Sequence, residues 1–208
     1  APTQTYALSL TGNTKKTNYF GSLSYLDNQG IIIDSGMKRV NGQFNISHKF
    51  NKWLRLRYSM SLMYRKNNNN KANIAGTSPW TGVIYMSPVL TTESVVNDLY
   101  NYGMGTKFNN PYISIMQGTN YRESFSNTQS ITLELTPIKG LSIKSQNTYY
   151  LFQTHLYKYN PSTLPAKNEG DGGDLHRNEH DTRQCSSDNT ITYKKNFSGG
   201  HNFDAMGG

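Results

Sequence analysis

Between Leu54 and Tyr64 the side chains alternate with a period of two. Leu54, Leu56, Tyr58, Met60, Leu62 and Tyr64 fall on one side, and Arg55, Arg57, Ser59, Ser61, Met63 and Arg65 on the other. Only a β-strand turns successive residues to opposite faces, so the two characters stay apart only if this stretch is extended. A run of about eleven residues is also what a tilted strand needs to cross a bilayer. The alternation returns in Tyr6, Leu8 and Leu10, in Tyr19, Leu23 and Tyr25, and in Val40, Phe44 and Ile46. It returns again in Ile131, Leu133 and Leu135, in Leu141, Ile143, Tyr149 and Leu151, and in Ile191 and Tyr193. With a short last stretch near Asn202–Met206, about eight strands are expected. A sheet in water with one face on a core shows the same pattern; repetition at spanning length favours lipid.

The links between these strands alternate in kind. Gly12–Lys16, Phe50–Lys52, Pro137–Gly140 and Phe197–Gly200 carry the Gly, Asn, Ser and Pro of tight turns. Between them lie a link near Asn28–Met37 and two longer loops, expected over 66–122 and 157–182. Short turns on one rim and long loops on the other are the layout of an outer-membrane barrel, with turns periplasmic and loops outside.

Composition agrees. Only 35% of residues are hydrophobic, yet aromatics reach 12% with 15 tyrosines, which argues against disorder. A mean hydropathy of −0.69, with no apolar run near the roughly 20 residues of a spanning helix, excludes transmembrane helices but not a barrel. The net charge of +8 is scattered in singles and pairs, which speaks against a nucleic-acid partner. The single Cys185 excludes a disulfide framework within the chain. The absence of an initial Met and the strand-like stretch at the end lead us to expect a piece of something longer.

The sharpest chemical motif is His176-Arg-Asn-Glu179-His180, the H-x-x-E-H pattern of inverted zinc peptidases. That chemistry needs both histidines on one helix face, and here the motif follows Gly-rich sequence in an expected loop, so chance spacing is the better account. Glu169, Asp171, Asp174 and Asp181, within the 169–181 loop, can offer oxygen ligands to a structural Ca²⁺. They lack the spacing of a calcium loop, and a solvated turn is the plainer reading. No nucleophile–base set has a supporting context, so no enzyme, catalytic residue or resident cofactor is expected.

The remaining candidates are positional. Asn41, Gln43, Asn45, Arg55, Arg57, Arg65, Glu134, Lys144 and Gln146 occupy the polar positions of their strands, so in a barrel they line the lumen, holding a plug or touching solute. In the long loop, Trp80, Tyr85, Tyr100, Tyr102 and Tyr112 can stack on sugar rings, contact a lid, or simply form the loop's own core. Tyr19, Tyr25, Tyr58, Tyr64, Tyr149 and Tyr193 fit the lipid face and interfacial belts.

The segment Tyr6-Ala-Leu-Ser-Leu-Thr-Gly12, then Lys16-Thr-Asn-Tyr-Phe-Gly-Ser-Leu-Ser-Tyr-Leu-Asp-Asn-Gln-Gly-Ile31, Arg39 and Gly42-Gln-Phe-Asn45 resembles the early-barrel signature of the SusC/RagA family of TonB-linked outer-membrane transporters of Bacteroidetes. Asn109-Asn-Pro-Tyr112, Lys139-Gly-Leu-Ser-Ile-Lys144 and His201-Asn-Phe-Asp-Ala205 fit in order. The resemblance implies an all-β fold: an antiparallel transmembrane segment, residues 1–208, of a barrel of about 22 strands. The plug and the other strands would lie outside this stretch, whose open edges they must satisfy. It also implies import of glycans or peptides under a SusD-like lipoprotein lid, energised by TonB-ExbB-ExbD through the plug. The rival readings are a passive porin, a siderophore-type receptor, and a soluble β-rich carbohydrate-binding or adhesin module.

Overall fold

In the computed structural model, which describes residues 1–69, 117–161, 173–198 and 200–208, eight strands form one sheet. They are β1 (Thr3–Asn13), β2 (Thr17–Gln29), β3 (Gly36–Lys49), β4 (Leu54–Asn68), β5 (Thr119–Leu135), β6 (Leu141–Asn160), β7 (Asp174–Asn196) and β8 (Asn202–Gly207). Each pairs antiparallel with the next in the order β1-β2-β3-β4-β5-β6-β7-β8, with β1 and β8 at the edges. Among the described residues no helix is long and apolar enough to cross a membrane, which leaves strand crossing open.

Local chemistry explains the short turns. The Thr14 hydroxyl accepts from the amides of Lys16 and Thr17 and closes the β1–β2 turn. Before β4, Asn51 Oδ1 accepts from the amides of Trp53 (3.0 Å) and Leu54 (2.8 Å), an Asx turn. Between β5 and β6, Gly140 sits at φ 92°, and a Cβ there would stand 2.2 Å from the Lys194 carbonyl oxygen. That turn admits only glycine without a shift of the backbone.

The strands run further into the expected loops than the sequence suggested. β6 continues to Asn160 and β7 begins at Asp174, so much of the stretch read as a loop over 157–182 is paired sheet. Strand length grows from 11 residues in β1 to 23 in β7. At about 3.4 Å per residue, β7 is far longer than a hydrocarbon core is thick. It is paired to β8 only from Ile191 to Asn196.

Register sorts the side chains into two faces. Tyr6, Tyr25, Val40, Tyr64 and Phe125 form one continuous cross-strand row, and Leu8, Leu23, Gly42 and Leu62 another on the same face. The exposed large apolar side chains of the strands lie on this face, from Leu8 (74%) to Ile191 (54%), Met206 excepted. The buried polar residues, Ser124 and Thr132, lie on the other face. A shallow pocket there is lined among others by Asn45, Ser47, Arg57, Ser59, Ser130 and Gln146.

The apolar face changes character across the sheet. Over β1–β4 it is nearly unbroken. Over β5–β7 it is interrupted by Asn127, Gln129, Ser145, Asn147, Ser187 and Asn189, which share its register. These groups satisfy one another along each strand: Gln129 donates to Asn127, Asn147 to Ser145 and Asn189 to Ser187, each at 3.3 Å. The Tyr58 hydroxyl donates to Gln129 from the neighbouring strand. The alternation read at Leu141, Ile143, Tyr149 and Leu151 of β6 and at Ile191 and Tyr193 of β7 holds at those positions, and these polar residues fill the positions between and beyond them on the same face.

Candidate functional site

The polar face is built by alternation alone: a strand that keeps Leu56 and Tyr58 on one side must put Arg55 and Arg57 on the other. Register then brings the strands' polar positions together. Asn41, Gln43 and Asn45 of β3 oppose Met63, Ser61 and Ser59 of β4, and Arg55 opposes Glu134 of β5, which opposes Lys144 of β6. Gln146 stands opposite Thr132. The candidates Asn41, Gln43, Asn45, Arg55, Arg57, Arg65, Glu134, Lys144 and Gln146 therefore share one face.

Toward the short-turn rim, this face holds a compact ionic cluster. Glu134 receives Arg57 as a fork, Nη1 to Oε1 at 2.9 Å and Nη2 to Oε2 at 3.2 Å, and Arg55 Nη1 reaches Oε2 at 3.4 Å. A guanidinium that meets one carboxylate through both terminal nitrogens is held in orientation as well as charge. Hydroxyls and amides fill the wall above: Asn41 donates to Ser24 at 3.1 Å, Thr148 to Ser130 at 3.2 Å, and the Ser124 and Thr154 hydroxyls lie 3.4 Å apart. Such a surface can hydrate a passage or hydrogen-bond a neighbouring domain.

Toward the long-loop rim, the apolar face ends in a charged row. Asp27, Lys38, Lys66, Glu123, His155 and Glu179 follow one another across β2–β7. Lys38 pairs with Asp27 at 3.5 Å and Lys66 with Glu123 at 2.9 Å, and Lys66 Nζ lies 4.5 Å over the Tyr121 ring. Tyr121 stacks on Tyr157 at 5.3 Å. Tyr121 and Tyr157 stand one row outside these charges and Tyr25, Tyr64 and Phe125 one row inside; aromatic rings beside paired charges are what a strand presents where oil gives way to headgroups.

The His176, Glu179, His180 motif lies in β7, not in a loop. Its histidines are on the polar face, while Glu179 is on the opposite face with Arg177 and His155. A strand cannot converge all three on one ion. Asp174 and Asp181 likewise point to opposite faces, and Glu169 and Asp171 lie outside the described residues. Among the described residues no group of three or more His, Cys, Asp or Glu is placed to hold a metal. Cys185 is free and exposed, opposite Tyr149. Trp80, Tyr85, Tyr100, Tyr102 and Tyr112 also lie outside the described residues.

Two residues missing from the sequence-based candidates belong on the polar face. Arg39 continues the series Asn41, Gln43, Asn45 by parity and stands directly opposite Arg65. Arg122 is the next basic residue along, opposite Asn67. The signal for Arg39 was present in the spacing; that for Arg122 needed the register of β5.

This combination can be compared with solved structures. The chain superposes on the RagAB peptide importer in its open-open state with a TM-score of 0.76 and 23% identity, covering 98% of this chain and 23% of that one. The fold is that of a TonB-dependent transporter barrel. A second structure of the RagAB peptide transporter gives 0.73 and 22%, over 99% of this chain and 24% of that one. The ferric-catecholate import receptor Fiu of E. coli K12 gives 0.54 and 10%, over 98% of this chain and 29% of that one. Among curated proteins, TonB-dependent receptor P26 of Formosa agariphila is 22% identical over 211 residues, covering 100% of this chain and 21% of its own length. TonB-dependent receptor P3 of the same organism is 22% identical over 97% of this chain and 20% of its length. No family model matches. The chain thus spans about a fifth of the curated relatives it matches, and the likeness to SusC/RagA transporters stated from the sequence is supported on both counts.

Proposed function

We propose that this segment forms part of the wall of a SusC-like TonB-dependent transporter in the outer membrane of a Gram-negative bacterium. The whole protein would import oligosaccharides or peptides under a SusD-like lipoprotein lid, with energy from TonB-ExbB-ExbD delivered through a plug. The observation that carries this is a single-layer sheet exposing its large apolar side chains on one face and its ions and hydroxyls on the other, in a fold shared along its whole length with a peptide importer. In this reading lipid covers the apolar face, and the polar face lines the lumen. The better superposition on RagAB than on the ferric-catecholate receptor supports a nutrient oligomer over a siderophore.

The test is deletion of the full-length gene, followed by growth on single peptide or glycan sources. Loss of growth on one class, with retention on free amino acids or monosaccharides, supports import. Unchanged growth on all of them, with the protein recovered in the soluble fraction, would sink both the transporter and its location.

A further inference from the structure

Charges on the two faces of this sheet are managed differently. On the apolar face near the long-loop rim, Lys38, Lys66, Arg177 and Arg183 each have a carboxylate partner: Asp27, Glu123, Glu179 and Asp181 respectively. On the polar face of β1 through β6 the one carboxylate is Glu134, and Arg55 and Arg57 already hold it. Arg39 and Arg65 lie about ten residues further along the wall, roughly 30 Å away at the rise of a strand, beyond reach of Glu134. They face each other directly across β3 and β4. Like charges in that position repel. The Nε atoms of both are buried and have no hydrogen-bond acceptor among the described residues. A buried guanidinium N–H left unmatched carries a desolvation cost that an acceptor removes. Exposed Arg122 adds a third positive charge one strand over.

We propose that Arg39 and Arg65 form an oxyanion site on the inner wall, near the long-loop mouth, that takes a carboxylate between the two guanidinium groups. This rests on the wall-and-lumen reading above and sharpens it: the solute, or the plug surface that meets this wall, carries acidic groups at that height. Two planar forks facing one another suit a carboxylate, whose oxygens can each accept from one arginine. A neutral sugar or peptide amide would leave the repulsion unrelieved.

The test uses the full-length transporter solubilised from outer membranes. At low salt it is titrated with an Asp-containing heptapeptide and its Asn twin, and with a trigalacturonate and its methyl ester. If the solute supplies the carboxylate, an acidic probe binds about tenfold or more tightly than its neutral twin. R39Q/R65Q abolishes that preference, and R39K/R65K keeps part of it. If the plug supplies it, the preference is absent, but limited proteolysis of the plug in membranes accelerates about tenfold in R39Q/R65Q and less in R39K/R65K. The single variants R39Q and R65Q serve should the double variant lose the heat-modifiable gel mobility of a folded barrel. Folded variants with unchanged charge preference and unchanged plug cleavage overturn the proposal, as does a parent protein with no charge preference whose plug is indifferent to R39Q/R65Q. A protein that binds acidic probes through these arginines yet moves no solute when energised refutes import and leaves the site standing.

Discussion

The outer faces of β1–β4 and of β5–β7 share a register and differ in chemistry. In the first region, rows such as Leu8, Leu23 and Leu62 present hydrocarbon without a break except at glycine. In the second, equivalent rows hold Asn127, Gln129, Ser145, Asn147, Ser187 and Asn189, bonded in pairs along their strands. Side-chain amides in oil cost free energy unless bonded, and these are bonded. On the wall reading proposed above, the difference teaches that a place on the lipid side does not by itself demand an apolar side chain; it demands that polar ones bring their partners.

Substitutions can break this comparison. Met60→Arg, midway along β4, should lower the unfolding free energy of the full-length protein in bilayers by about 2–4 kcal/mol. Ser187→Arg, in the β7 row that leads through Asn147 and Ile131 to Tyr58, places its charge among Asn147 and Asn189 rather than hydrocarbon and should cost less, roughly 1 kcal/mol. Equal losses in the two denaturation curves would erase the distinction between the regions. A milder probe exchanges the chemistries. Leu23→Asn, between Leu8 and Gly42, introduces an amide without a dedicated partner and should cost about 1–3 kcal/mol, whereas Asn147→Leu should be neutral or stabilising, since a hydroxyl and an amide bonded to each other are worth little net. Midpoints of urea unfolding in lipid decide it, and destabilisation by Asn147→Leu would mean that the amide has a role beyond its own strand. On the polar face, Glu134→Gln releases both Arg55 and Arg57 from their carboxylate; these groups are partly exposed, so the loss should stay near 0.5–1 kcal/mol. The smallest effect is expected at the rim, where Lys38→Gln, removing an exposed pair with Asp27, should shift the midpoint by no more than about 0.5 kcal/mol and less still in high salt.

Much of the architecture was legible in the sequence because a strand with two unlike faces imposes a two-residue period. The β4 stretch Leu54–Tyr64 announced its faces, and from it the polar positions Asn41, Arg55, Glu134 and Gln146 followed by parity alone. The upper half of β7 was not legible. From Asp174 to Asn189 it is polar on both faces, so no alternation marks it as a strand; only pairing with β6 reveals it. The fork of Glu134 with Arg57 was hidden for a different reason: the residues are 77 positions apart, and register joins them. Arg39 was readable and overlooked, being one step beyond the polar series that begins at Asn41.

The short reach of β8 along β7 has a practical side. From Asp174 to Thr190, one flank of β7 has no paired strand among the described residues. In the wall proposed above, an adjoining strand would seal that flank. Cut loose from such neighbours, the segment is a zipper with half its teeth showing, prone to fasten onto copies of itself.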